Sequence, residues 1–111
     1  MSDARTLCRE AFQYFADNRI DEAIECYRRA VEDDPKLPIA WSGLSKTLQR
    51  KGDLDAAVQA ALRLTELEPN DPLSHTNLSI LYQEKGLIQE AEDEKALAMR
   101  LQLEVEGGST P

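Results

Sequence analysis

A 34-residue period runs through this chain and constrains its fold more than any other feature. Pro35 and Pro69 stand 34 residues apart, as do Pro38 and Pro72, Gly52 and Gly86, and Leu44 and Leu78. Ala23, Ala57 and Ala91 mark the same step three times. Agreement of several residue types on one interval divides the chain into three copies of one unit, 4–37, 38–71 and 72–105. A unit of this length buries too little apolar surface to fold alone. Copies must therefore stack so that each covers its neighbour.

Within a unit the apolar spacing is helical throughout, and no alternating segment suggests a strand. In the second unit Pro38 suits a first helical turn, where a missing N–H costs nothing. Trp41, Leu44, Ser45 and Leu48 then share one face. Gly52 is the expected left-handed terminator and Asp53 the cap of the next helix. Leu54, Ala57, Val58, Ala61 and Leu64 form that helix's stripe, which Pro69 closes. The third unit repeats the scheme, with Asn70 or Asp71 as cap, Pro72 in the first turn and Gly86 as stop. Asn18 stands where the first unit needs its glycine, and asparagine also visits the left-handed region. The alanines at 23, 57 and 91 leave room for close helix packing. The expected fold is all-α, a right-handed superhelical stack of three helix-turn-helix hairpins over 1–106. A flexible tail is expected at 107–111.

Charge and cysteine usage narrow the chemistry. Twenty-one acids against 13 bases give a net charge of −8, which disfavours nucleic acid and anionic membrane as partners. No apolar run approaches the ~20 residues of a membrane span, and Met1 to Arg5 has no apolar signal core. Cys8 and Cys26 form no disulfide framework and no zinc spacing, which points to a reducing, cytoplasmic setting. Cys8 is expected to be exposed and Cys26 half-buried. The acidic stretches Glu32-Asp33-Asp34 and Glu90 to Glu94 lack the glycine-centred calcium loop. No phosphate loop or nucleophile elbow occurs, so neither an enzyme nor a cofactor is expected. His75, the only histidine, reads as a packed residue on an inward helix face.

The pattern resembles the tetratricopeptide repeat family over about residues 4–105. The family places Trp, Leu, Gly and Tyr in the first helix, Ala, Phe and Ala in the second, and then Pro. Matching positions are Leu7, Ala11, Tyr14, Ala23, Tyr27, Ala30 and Pro35 in the first unit. In the second they are Trp41, Leu44, Ser45, Leu48, Ala57, Ala61, Leu64 and Pro69. The third unit shows Leu78, Ser79, Tyr82, Ala91 and Ala98, with His75 at the tryptophan position. Three departures stand out. Glu10 replaces a leucine, as suits a solvated outer cap. Lys95 and Leu103 replace the last aromatic and proline, so the final helix is expected to run on to about residue 104.

The resemblance implies a concave groove lined by the first helices, which binds extended peptides. The face opposite the core stripe then carries Arg5, Cys8, Arg9, Phe12, Phe15 and Ala16 in the first unit. Ile39, Ser42, Gly43, Lys46, Gln49 and Arg50 follow in the second, and Leu73, Thr76, Asn77, Ile80, Gln83 and Glu84 in the third. Four bases and one acid on this face make a basic, partly apolar groove on an acidic body. It fits a scaffold or adaptor that binds an acidic or amphipathic peptide. The family's carboxylate clamp for chaperone C-termini needs lysine, asparagine and arginine where this chain has Cys8, Phe12, Gly43, Leu73 and Asn77. None of these matches, so that route is not expected. Two alternatives remain from the residues. One is a homodimer through the last hairpin, where Leu81, Leu97, Met99, Leu101 and Val105 would be open. The other is a secretion or assembly chaperone of the same architecture.

Overall fold

The structure, a computed structural model, describes residues 3–108. Six helices follow in order: α1 (Ala4–Ala16), α2 (Ile20–Asp33), α3 (Pro38–Lys51), α4 (Leu54–Leu67), α5 (Pro72–Glu84) and α6 (Ile88–Gly108). Consecutive helices form three hairpins. α3 packs against α1 and α2, and α5 packs against α4. No strand occurs among the described residues.

The three hairpin turns are built alike because the same backbone positions carry the same bonds. Asn18, Gly52 and Gly86 take φ of 61°, 92° and 80°. The residue after each one donates its N–H back across the turn: Arg19 to the Tyr14 carbonyl, Asp53 to Leu48 and Leu87 to Tyr82, at 2.8–3.0 Å. This is the left-handed helix stop with its long reach-back bond, which satisfies carbonyls the helix end would orphan. Asp3, Asp53 and Asp71 cap α1, α4 and α5 by accepting from the N–H of Thr6, Ala56 and Leu73. Pro38 and Pro72 occupy the first turns of α3 and α5.

Between helices the 34-residue step also recurs in side-chain bonds. Ser45 Oγ donates to the Ala57 carbonyl at 3.0 Å, and Ser79 Oγ donates to Ala91 at 2.7 Å. Ala11 holds the same place in the first hairpin, and it packs without a hydroxyl, fully buried like Ala23. Trp41 Nε1 donates to the Pro35 carbonyl at 2.7 Å. One unit later His75 Nε2 reaches the Pro69 carbonyl at the same distance, while its Nδ1 faces Glu94 Oε2 at 2.7 Å. The ion pairs Lys51–Asp21 and Lys85–Asp55 repeat as well. Both are largely exposed, so they contribute little to stability and chiefly register one hairpin on the next.

Four expectations need correction. Helix α6 runs to Gly108 and not to about 104, because Leu103 replaces the terminating proline and no left-handed residue follows it. Gly107 and Gly108, expected in the tail, are therefore helical, while Ser109, Thr110 and Pro111 lie outside the described residues. Leu81 and Leu101, expected at an open end, are buried; Leu81 joins the core cluster that begins at Ala4. Both cysteines are buried and free. Glu10 is exposed, as a solvated cap requires.

Candidate functional site

The expected groove residues come together in a cleft between α1 and α3. The cleft has a volume of about 470 Å³ and is lined by Arg5, Cys8, Arg9, Phe12, Ile39, Ser42, Gly43 and Lys46, with Tyr27 of α2 as its floor. Phe12 is 63% exposed and Ile39 57%, so each presents an uncovered apolar surface at the rim. The spacing of these residues along α1 and α3 explains their meeting. Residues 5, 8, 9 and 12 share one helical face, as do 39, 42, 43 and 46, and parallel stacking brings the two faces together.

Cys8 sits in the wall of this cleft and is only 5% exposed, which corrects the expectation of an accessible thiol. It shares the core cluster with Tyr27 of α2. Desolvation raises both the Cys8 thiol and the Tyr27 phenol above their ordinary values; Arg5 pulls the thiol the other way, more weakly. Tyr27 was legible only as a core position of its repeat, yet it forms the floor of the site. Gly43 is what admits it. A methyl group at 43 would lie 2.2 Å from the Tyr27 ring. The Tyr27 hydroxyl has no hydrogen-bond partner among the described residues, and it borders the cleft.

The electrostatics of the cleft are one-sided. Arg5, Arg9 and Lys46 line it and no acid does. Arg9 donates to Thr6 Oγ1 at 3.1 Å. The ion pairs among the described residues engage Arg19, Lys51, Arg63 and Lys85, and none of the three cleft bases. The cap Asp3 feels two of these bases. Its carboxyl is held below the usual range first by the Thr6 N–H, with smaller contributions from Arg9 and Arg5.

The remaining expected residues fall elsewhere. Gln49, Arg50, Asn77 and Ile80 line a second cleft of about 530 Å³ between α3 and α5, with Phe15, Lys46 and Glu84. There Gln49 Nε2 donates to Glu84 Oε1 at 2.8 Å, and the Arg50 guanidinium lies 5.5 Å from the centre of the Phe15 ring. Arg50 is thus partly committed to an aromatic face, which leaves the uncommitted positive charge in the first cleft. Leu73 and Ile80 border a third depression of about 380 Å³ at the open end of the stack, together with Met99 of α6. The expected groove residues thus line three adjoining recesses, the first and second sharing Lys46 and the second and third sharing Ile80.

Two family models match the chain, a TPR repeat over residues 13–52 and a tetratricopeptide repeat over 39–71. Together they span more than half of it, and six helices in three hairpins complete the pattern. The chain belongs to the tetratricopeptide repeat family. Among solved structures, that of MamA superposes with a TM-score of 0.91 at 19% identity, over 95% of this chain and 61% of that one. This tetratricopeptide protein therefore spans about three fifths of the MamA chain. The first TPR of Spaghetti (RPAP3) bound to HSP90 peptide SRMEEVD gives 0.84 at 19% identity, over 89% and 79%. The Yersinia enterocolitica type III secretion translocator chaperone SycD gives 0.82 at 20%, over 88% and 74%. Identities this low establish a shared fold. A comparison with curated proteins by sequence finds no match. No helix among the described residues is long and apolar enough to cross a membrane.

Proposed function

We infer that this tetratricopeptide protein is a non-catalytic interaction module whose α1–α3 cleft binds an acidic, amphipathic segment of a protein partner. The observation that carries this reading is the cleft's composition. Three bases and no acid surround exposed Phe12 and Ile39 on a body of net charge −8. A ligand segment with apolar side chains would cover Phe12 and Ile39, and its carboxylates would sit among Arg5, Arg9 and Lys46. The free Tyr27 hydroxyl at the floor would supply one directional bond. The peptide named with the RPAP3 domain, SRMEEVD, is of this acidic and apolar kind. Recognition here is expected to differ from the carboxylate clamp of the family, whose positions hold buried Cys8 and apolar Phe12 and Leu73.

The test is fluorescence anisotropy with a panel of acidic–apolar peptides against the intact chain and an Arg9→Glu/Lys46→Glu variant. Helicity of both is matched by circular dichroism. Micromolar binding is expected, about −8 kcal/mol, weakening as salt screens the cleft. The variant is expected to lose at least roughly tenfold in affinity, about 1.4 kcal/mol. Binding that ignores both salt and charge reversal would sink the electrostatic reading.

A further inference from the structure

The chain carries, on its own last helix, a segment of the chemistry that the α1–α3 cleft is suited to hold. α6 has 21 residues against 13 in α5. Leu101 is its last buried residue, and residues 102–107 are exposed. In that stretch Leu103 is 65% exposed and Val105 61%. Around them the sequence reads Leu101-Gln102-Leu103-Glu104-Val105-Glu106, acidic with no base after Arg100. The other exposed apolar side chains differ. Leu73, Ile80 and Met99 line the open end, where the one charged group is the base Lys95, and Leu87 and Ile88 follow Lys85 in a tight turn. Among the described residues, the end of α6 sets exposed apolar groups beside glutamates with no base among them.

We propose that the acidic end of α6 from one copy docks in the α1–α3 cleft of a second copy, which joins the molecules head to tail. The proposal rests on the reading of the cleft given above. Val105, which continues the Ala98 and Leu101 stripe of α6, meets Phe12 and Ile39, and Glu104 beside it reaches Arg5, Arg9 and Lys46, while Leu103 lies on the opposite side of the helix. The contact is between copies because α1 packs on α2 and α3 while α6 packs on α5, at opposite ends of the stack. Simple end-to-end stacking is disfavoured by the first hairpin. Its outer face shows Glu10 and Gln13, both exposed, where the next unit buries Leu44 and Thr47. Two different surfaces meet in the proposed contact, so each added copy keeps a free cleft and a free α6 end. Growth then continues with concentration unless a ring closes. The net charge of −8 opposes association at long range. Salt therefore acts on both attraction and repulsion, and a charge swap is the cleaner probe.

Sedimentation velocity of the intact chain from tens to hundreds of micromolar tests this. A mass rising above 12.5 kDa with concentration is expected. Arg9→Glu/Lys46→Glu alone and Glu104→Lys/Glu106→Lys alone are each expected to stay monomeric. An equimolar mixture of the two variants is expected to associate again, since each supplies the surface the other has lost. A monomeric wild type throughout, or association untouched by either reversal, overturns the proposal. The acidic–apolar peptide panel applied to the Glu104→Lys/Glu106→Lys chain separates this failure from that of the cleft reading. Peptide binding by a chain whose wild type is monomeric leaves the cleft reading standing and removes only the homotypic partner. Loss of both removes both.

Discussion

His75 is held at both ring nitrogens: Nδ1 lies 2.7 Å from Glu94 Oε2 on α6, and Nε2 lies 2.7 Å from the Pro69 carbonyl. The second of these contacts reproduces, one unit later, the bond from the Trp41 indole to Pro35. The first is new to the third hairpin and ties α5 to α6. A buried histidine thus replaces a half-buried tryptophan while preserving the bond that anchors the incoming chain.

Removing this ring should be costly. His75→Ala leaves the Pro69 carbonyl and the half-buried Glu94 carboxylate without their partner and opens a cavity. A loss of about 2–4 kcal/mol is expected, read as a lowered urea midpoint. Glu94→Gln, which can still accept from Nδ1, should cost no more than about 1 kcal/mol. Equal losses from the two would show that the His75–Glu94 bond, not burial of the ring, dominates.

Gly43 and Tyr27 should be energetically coupled. Alanine at an interior helix position is favoured over glycine by about 1 kcal/mol. The added methyl, however, meets the buried Tyr27 ring at 2.2 Å, and overpacking of this kind costs about 1–3 kcal/mol. Gly43→Ala is therefore expected to destabilise by about 1–2 kcal/mol and, in a Tyr27→Ala background, to stabilise instead. Additive behaviour in that double-mutant cycle would disprove the contact. Tyr27→Phe should leave the denaturation midpoint nearly unchanged, because the hydroxyl has no partner, while weakening peptide binding.

Asn18 bears a left-handed backbone at φ 61°. Asn18→Gly is expected to be neutral or slightly stabilising, and Asn18→Ala to destabilise by about 1 kcal/mol. Thermal melts followed at 222 nm, the far-ultraviolet helix band, read the difference. A stabilising alanine would mean that the turn is not held in this conformation in solution.

Alkaline pH should weaken the fold. Burial raises the Cys8 and Cys26 thiols and the Tyr27 and Tyr82 phenols. The unfolded chain therefore releases these protons at lower pH than the folded one, and stability falls as pH rises. The loss begins above about pH 8.5 for the thiols and about pH 10 for the phenols. Cys8→Ala/Cys26→Ala should flatten the first part of the fall in urea midpoint and leave the second. A wild-type midpoint constant from neutral pH to pH 10 would contradict buried thiols.

The fold was legible because a repeat states each structural choice more than once. Gly52 and Gly86, Pro38 and Pro72, and the alanine series each mark local geometry that neighbouring residues dictate. The left-handed turn at Asn18 could be read by position alone, and the exposed cap at Glu10 by its departure from leucine. The site was legible in part. Arg5, Arg9, Phe12, Ile39 and Lys46 follow from which face of α1 and α3 the core leaves free.

Sequence by itself determined the period, the six helices, their caps and turns, and the sign of charge on each helical face, because these depend on interactions within about four residues. Tertiary structure alone decided what lies behind those faces. It set the Tyr27 ring against Gly43 and buried Cys8. It left residues 102–107 of α6 exposed. These depend on how one hairpin sits on the next, where an ångström of offset settles which side chain is floor and which is rim.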